Sequence, residues 1–77
     1  MDREKIRRFA IENIPGAEGV RMVGRWTGHE VWAGVFSEPV YLGLPVFILV
    51  RGESIRLAMG EEGDTILDSL LDDRRHT

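Results

Sequence analysis

The apolar run at residues 46–50, Val-Phe-Ile-Leu-Val, is followed after Arg51-Gly52-Glu53-Ser54 by alternation, with Ile55, Leu57 and Met59 set apart by Arg56 and Ala58. A continuous run suits a strand buried on both faces, and strict alternation suits one with a single buried face. A two-residue Gly52-Glu53 loop pairs Arg51 with Ser54, Val50 with Ile55, Leu49 with Arg56, Ile48 with Leu57, Phe47 with Ala58 and Val46 with Met59. Directly opposed residues share a face. One face is then wholly apolar (Val46, Ile48, Val50, Ile55, Leu57, Met59), while the other carries Phe47, Leu49, Arg51, Ser54, Arg56 and Ala58.

Residues 20–36 show the same kind of pattern around a Gly28-His29 loop, where glycine readily supplies the positive φ of a primed turn. This register opposes Trp26 to Val31, Arg25 to Trp32, Gly24 to Ala33, Val23 to Gly34, Met22 to Val35 and Arg21 to Phe36. Val20, Met22, Gly24, Trp26, Val31, Ala33 and Val35 fall on one face, and the arginines fall on the other with Trp32 and Phe36. A slip of one residue would mix the two sets.

Helical spacing flanks the hairpins. Ile6, Phe9, Ala10 and Ile14 recur at helical intervals after Asp2, an N-cap residue, and Pro15-Gly16 ends that segment. From Gly60 onward, Ile66, Leu67, Leu70 and Leu71 form a second stripe behind Glu61, Glu62 and Asp64, acids that favour a helix start. The start is set at Glu61, or at Thr65 with Asp64 as cap, and residues 72–77 fray. The connection 37–45 holds two prolines, Gly43 and the apolar Tyr41, Leu42 and Leu44, enough to cover a sheet edge or contact a partner.

The expected fold is one α+β domain over residues 1–77: an N-terminal helix, a four-stranded antiparallel sheet made of two hairpins (about 20–36 and 46–59) and a C-terminal helix. Both helices are expected on the Val46/Ile48/Val50 face, leaving the Trp32/Phe47 face open; the competing arrangement packs them on opposite faces and makes the Trp32/Phe47 face a second core layer. A simple meander is the default strand order, although the long connection also permits the first and fourth strands to be neighbours.

At 77 residues without cysteine, the chain has no disulfide or thiolate metal site to supplement a small core, which directs attention to dense packing or self-association. Cysteine-free composition, the lack of a signal-like N-terminus and the lack of an apolar run of about 20 residues point to a soluble cytoplasmic protein. The net charge of −3 is uneven: residues 1–19 are balanced, residues 20–59 carry four arginines against three glutamates, and residues 60–77 carry six acids against two arginines. An anion-binding surface would therefore lie on the central segment.

No phosphate-loop, dinucleotide, metalloprotease or nucleophile-elbow motif is present. His29-Glu30 is the only internal histidine beside a carboxylate, and it falls at the expected turn. Glu-Glu-Gly-Asp lacks the spacing of a calcium loop, so no metal or cofactor is expected. The constellation that stands out is Arg21, Arg25, Trp32, Phe36, Phe47, Leu49, Arg51 and Arg56 on one sheet face, arginine mixed with aromatic and aliphatic residues. That is the composition of interface centres. It points to a non-catalytic binding or regulatory module that homodimerises or docks on a protein partner through this face. Single-stranded nucleic acid or another anionic ligand on the same residues is the alternative, and an enzyme centred on His29 comes third.

Overall fold

The computed structural model describes residues 1–37 and 46–75, with side chains as far as residue 72. Its elements follow one another as α1 (Arg3–Asn13), β1 (Gly19–Trp26), β2 (His29–Val35), β3 (Phe47–Arg51), β4 (Ser54–Ala58) and α2 (Glu61–Arg75). The strands form one antiparallel sheet in the order β1-β2-β3-β4, so the α+β class and the simple meander both hold. Tyr41, Leu42 and Leu44, expected to cover an edge, lie outside the described residues, as do residues 76 and 77; α2 continues to Arg75, through most of the tail expected to fray from residue 72.

Local chemistry sets the element ends. The Asp2 carboxylate accepts from the Glu4 backbone N–H at 3.2 Å and caps α1. Ile6, Ala10 and Ile14, spaced by four, turn one stripe onto the sheet and are buried there. The second helix starts at Glu61, the earlier of its two expected starts, directly after Gly60 at φ 66°.

The β3–β4 register is the one read from the sequence, from Arg51 opposite Ser54 through Phe47 opposite Ala58. Gly52 takes φ 58° at the first turn position while Glu53 keeps a negative φ, the combination of a type II′ turn. The first hairpin differs. Its two-residue turn is Thr27-Gly28, with φ of 46° and 79°, and it opposes Trp26 to His29, Arg25 to Glu30 and Gly24 to Val31. A type I′ turn needs positive φ at both central residues, and glycine fills the second one here.

A further irregularity between Met22 and Gly24 leaves Val23 as an extra residue, after which Met22 opposes Trp32, Arg21 opposes Ala33 and Val20 opposes Gly34. This bulge turns the first half of β1 over. Val20 consequently packs with Ile48, Val50, Trp32 and Phe36 beneath α1, whereas Trp26 packs with Val31, Ala33, Phe47 and Leu49 on the opposite side. The single all-apolar face expected for this hairpin is thus divided between two cores.

The placement of the helices is also corrected. Only α1 covers the Ile48/Val50 face; Ile66 and Leu70 of α2 cover Phe47, Leu49, Val31 and Ala58 on the other. Each face of β3 demands a cover, since Phe47, Ile48, Leu49 and Val50 are 8%, 0%, 1% and 3% exposed. Close approach of α2 relies on Gly24, where a Cβ would lie 2.5 Å from Leu70 Cδ2.

Two outcomes test this arrangement. Because β-branched Thr27 sits at positive φ, Thr27→Asn is expected to stabilise the domain by about 0.5–1 kcal/mol, a rise of roughly 2–8 °C in a thermal melt. Phe47→Glu places a carboxylate beneath α2 and removes at least about 3–5 kcal/mol from a stability on the order of 4–12 kcal/mol, so cooperative unfolding by circular dichroism should be severely weakened or lost.

Candidate functional site

The eight residues expected to share one open face are separated. Trp32 and Phe36 pack beneath α1, and Arg25 lies on that side opposite Glu30. Phe47 and Leu49 are buried beneath α2, with Arg56 opposite Leu49. Arg21 opposes Ala33 and is exposed, and Arg51 is exposed at the end of β3. The cross-strand pairs Arg25–Trp32 and Arg21–Phe36 do not form, because the shifted turn and the bulge change their partners. Trp32 instead donates its indole N–H to Glu30 Oε1 at 3.2 Å.

With both sheet faces covered, the unpaired backbone lies at the edges, β1 and β4. The β1 edge is interrupted. Its Val23 bulge breaks the ladder, and Arg3 of α1 donates from Nη2 to the Val20 carbonyl at 3.2 Å. Both are ways in which proteins blunt an edge strand.

The β4 edge has an unbroken register over all five residues and contains no proline. In an antiparallel ladder, residues that exchange both hydrogen bonds with the neighbour alternate with residues whose N–H and C=O point away. Arg51 and Ser54 flank a two-residue turn and form the first bonded pair. The alternation then directs the N–H and C=O of Ile55 and Leu57 outward.

Depressions reach β4 on both faces of the sheet. On the α1 side a depression of about 210 Å³ is lined by Met1, Lys5, Arg8, Phe9, Glu12 and Ile55. On the α2 side a cleft of about 440 Å³ is lined by His29, Leu49, Glu53, Ser54, Ile55 and Arg56. A larger opening of about 540 Å³ beside β1 is lined mainly by charged groups, Asp2, Arg3, Glu4 and Arg7, two of which, Glu4 and Arg7, pair with each other at 3.2 Å.

His29 begins β2 and lines the α2-side cleft, whereas the sequence pattern placed it within a turn. Its Nδ1 lies 3.1 Å from the Thr27 carbonyl, the contact of a ring N–H donating to that oxygen. Among the described residues there is no group of three acidic or histidine side chains positioned for a metal, and no buried side-chain polar atom lacks a partner.

The charged feature of the β4 edge is Arg56, whose Nη1 and Nη2 donate to Glu62 Oε1 and Oε2 at 2.6 and 2.9 Å. This bidentate pair joins the edge strand to the first turn of α2. The hydrogen bonds hold the Glu62 carboxyl below its ordinary pKa and raise that of the guanidinium. Neither the edge residues Ile55 and Leu57 nor the Arg56–Glu62 pair was nominated from sequence. Both required the strand order and the path of α2. No helix among the described residues is long and apolar enough to cross a membrane.

No protein-family model, curated protein or solved structure matches the chain.

Because Glu62 has a lower pKa folded than unfolded, its contribution is present above the unfolded value and is lost as the pH falls through the folded one. Glu62→Gln should therefore melt below the wild type near neutral pH, and the gap should close on acidification through and below the carboxylate range. High salt should narrow it at neutral pH. A gap that persists in acid would assign the effect to packing.

Proposed function

We propose that this chain is a non-catalytic binding module whose β4 edge takes up an extended strand from a protein partner. The observation that carries the reading is the contrast in register between the two edges: β1 is bulged at Val23 and held by Arg3 at 3.2 Å, while β4 directs the N–H and C=O of Ile55 and Leu57 outward in unbroken register, with only a 3.5 Å contact from Arg56 Nη1 to the Leu57 carbonyl. Main-chain pairing supplies affinity in strand addition, and flanking pockets receive alternate side chains of the added strand. The depression lined by Met1, Phe9 and Ile55 on the α1 side and the β4 end of the cleft at Ser54, Ile55 and Arg56 on the α2 side are the candidates for such pockets. A cysteine-free composition fits a reducing compartment, and we place the module in the cytoplasm.

A nucleic-acid reading called for Trp32, Phe36 and Phe47 together on an open platform. These rings lie on two faces beneath two helices, so the arrangement favours a protein strand over stacked bases.

The probe is a synthetic peptide copying residues 53–59, titrated into the isotope-labelled protein. Binding at the edge slows amide hydrogen exchange at Ile55 and Leu57 and shifts their resonances, leaving the β1 edge unchanged. Ile55→Pro removes one outward N–H without removing a bond to β3 and should weaken the peptide at least about tenfold relative to Ile55→Ala, which controls for lost side-chain packing. Perturbation confined to β1 or to the outer surface of α1 would overturn the reading.

A further inference from the structure

We infer that the strand taken up at this edge is β4 of a second copy, paired antiparallel about a two-fold axis that passes beside Arg56. The inference rests on the edge-docking reading above and adds the identity and register of the occupant. In this register Ile55 opposes Leu57 of the second copy and Leu57 opposes its Ile55. Residues that exchange both hydrogen bonds use one N–H and one C=O each, so these two pairs satisfy all four outward N–H groups and carbonyls with four new bonds. The two meanders join into one eight-stranded sheet, and the half-buried Ile55 and Leu57 become interior to it.

Closure favours a second copy over an open-ended partner. Pairing β4 with the β1 edge of the next molecule would leave a free edge at each end and propagate as a filament. Pairing β4 with β4 uses the same patch on both subunits and stops at two. The Val23 bulge and the 3.2 Å Arg3 contact to the Val20 carbonyl disfavour the propagating arrangement at its other half, whereas β4 has no bulge and its one such contact, Arg56 Nη1 to the Leu57 carbonyl, is long at 3.5 Å.

The register brings the two Arg56 residues directly opposite each other, which is unfavourable for bare cations. Each guanidinium is already neutralised by its own Glu62 at 2.6 and 2.9 Å. The ion pair, which joins β4 to α2 within one chain, thereby allows arginine to occupy the centre of a symmetric edge. A structural role for the pair alone would leave association unchanged when Glu62 is altered.

The absence of cysteine permits a direct readout of register. In a non-bonded antiparallel pair the opposed Cα atoms lie about 4.5 Å apart, within disulfide range, whereas the two copies of position 54 would be roughly 13 Å apart. Arg56→Cys is therefore expected to form a disulfide-linked dimer under mild oxidation, and Ser54→Cys is expected to remain monomeric on denaturing gels. Sedimentation of the native protein should show a dimer that dissociates in Ile55→Pro and persists in Ile55→Ala. Glu62→Gln should raise the dimer dissociation constant about tenfold, since both copies lose the neutralising carboxylate.

Equal cross-linking at the two positions overturns the register, and a dimer that survives Ile55→Pro places the interface elsewhere. A wild type that stays monomeric to millimolar concentration overturns self-pairing. In that case, protection of Ile55 and Leu57 by the peptide leaves the docking reading standing, and its absence removes both.

Discussion

Burial of β3 on both faces constrains the rest of this small fold. Four successive residues, Phe47 to Val50, are removed from water, and their side chains alternate across the sheet. One helix can cover only one side of them. The chain therefore places α1 over Ile48 and Val50 and α2 over Phe47 and Leu49, and each helix needs only a narrow apolar stripe, Ile6/Ala10/Ile14 in one and Ile66/Leu70 in the other. The result is two thin cores, one on either side of the sheet, in a chain without cysteine.

The Val23 bulge reconciles the outer hairpin with this three-layer plan. Without it, Val20, Met22, Gly24 and Trp26 would share one face. With it, Val20 joins the α1 core and Trp26 the α2 core, so β1 contributes to both. Gly24, just beyond the bulge, lets Leu70 approach the strand closely. The same bulge makes β1 a poor template for further strands, and the Arg3 contact to the Val20 carbonyl reinforces this. A device required for packing thereby leaves the sheet with unequal edges, and the proposed docking at β4 follows from that inequality.

Arg56 illustrates how one side chain takes its meaning from its neighbours. On the strand it resembles a charge that discourages edge pairing. Its bidentate contact to Glu62 cancels that charge and ties the edge to the start of α2. Elsewhere Asp2 caps α1, Trp32 donates to Glu30, His29 lies against the Thr27 carbonyl, and Ser37 Oγ donates to Glu18 Oε1.

By itself, the sequence determined the elements and their order, the class of the fold and the complete β3–β4 register, because glycine in a two-residue turn and alternating burial both act over short distances. The continuous run at residues 46–50 also carried the signature of burial on both faces. Tertiary structure decided which helix covers which face, where β1 admits an extra residue and which edge strand keeps an unbroken register. A helix stripe records that a helix is covered but not by which side of the sheet, and Val23 differs in no local property from a residue in regular pairing. The eight arginine, aromatic and aliphatic residues that pattern alone gathered onto one face were divided for that reason. Ile55 and Leu57, apolar positions like any others in the sequence, acquire outward backbone groups only once β4 is the last strand of the sheet.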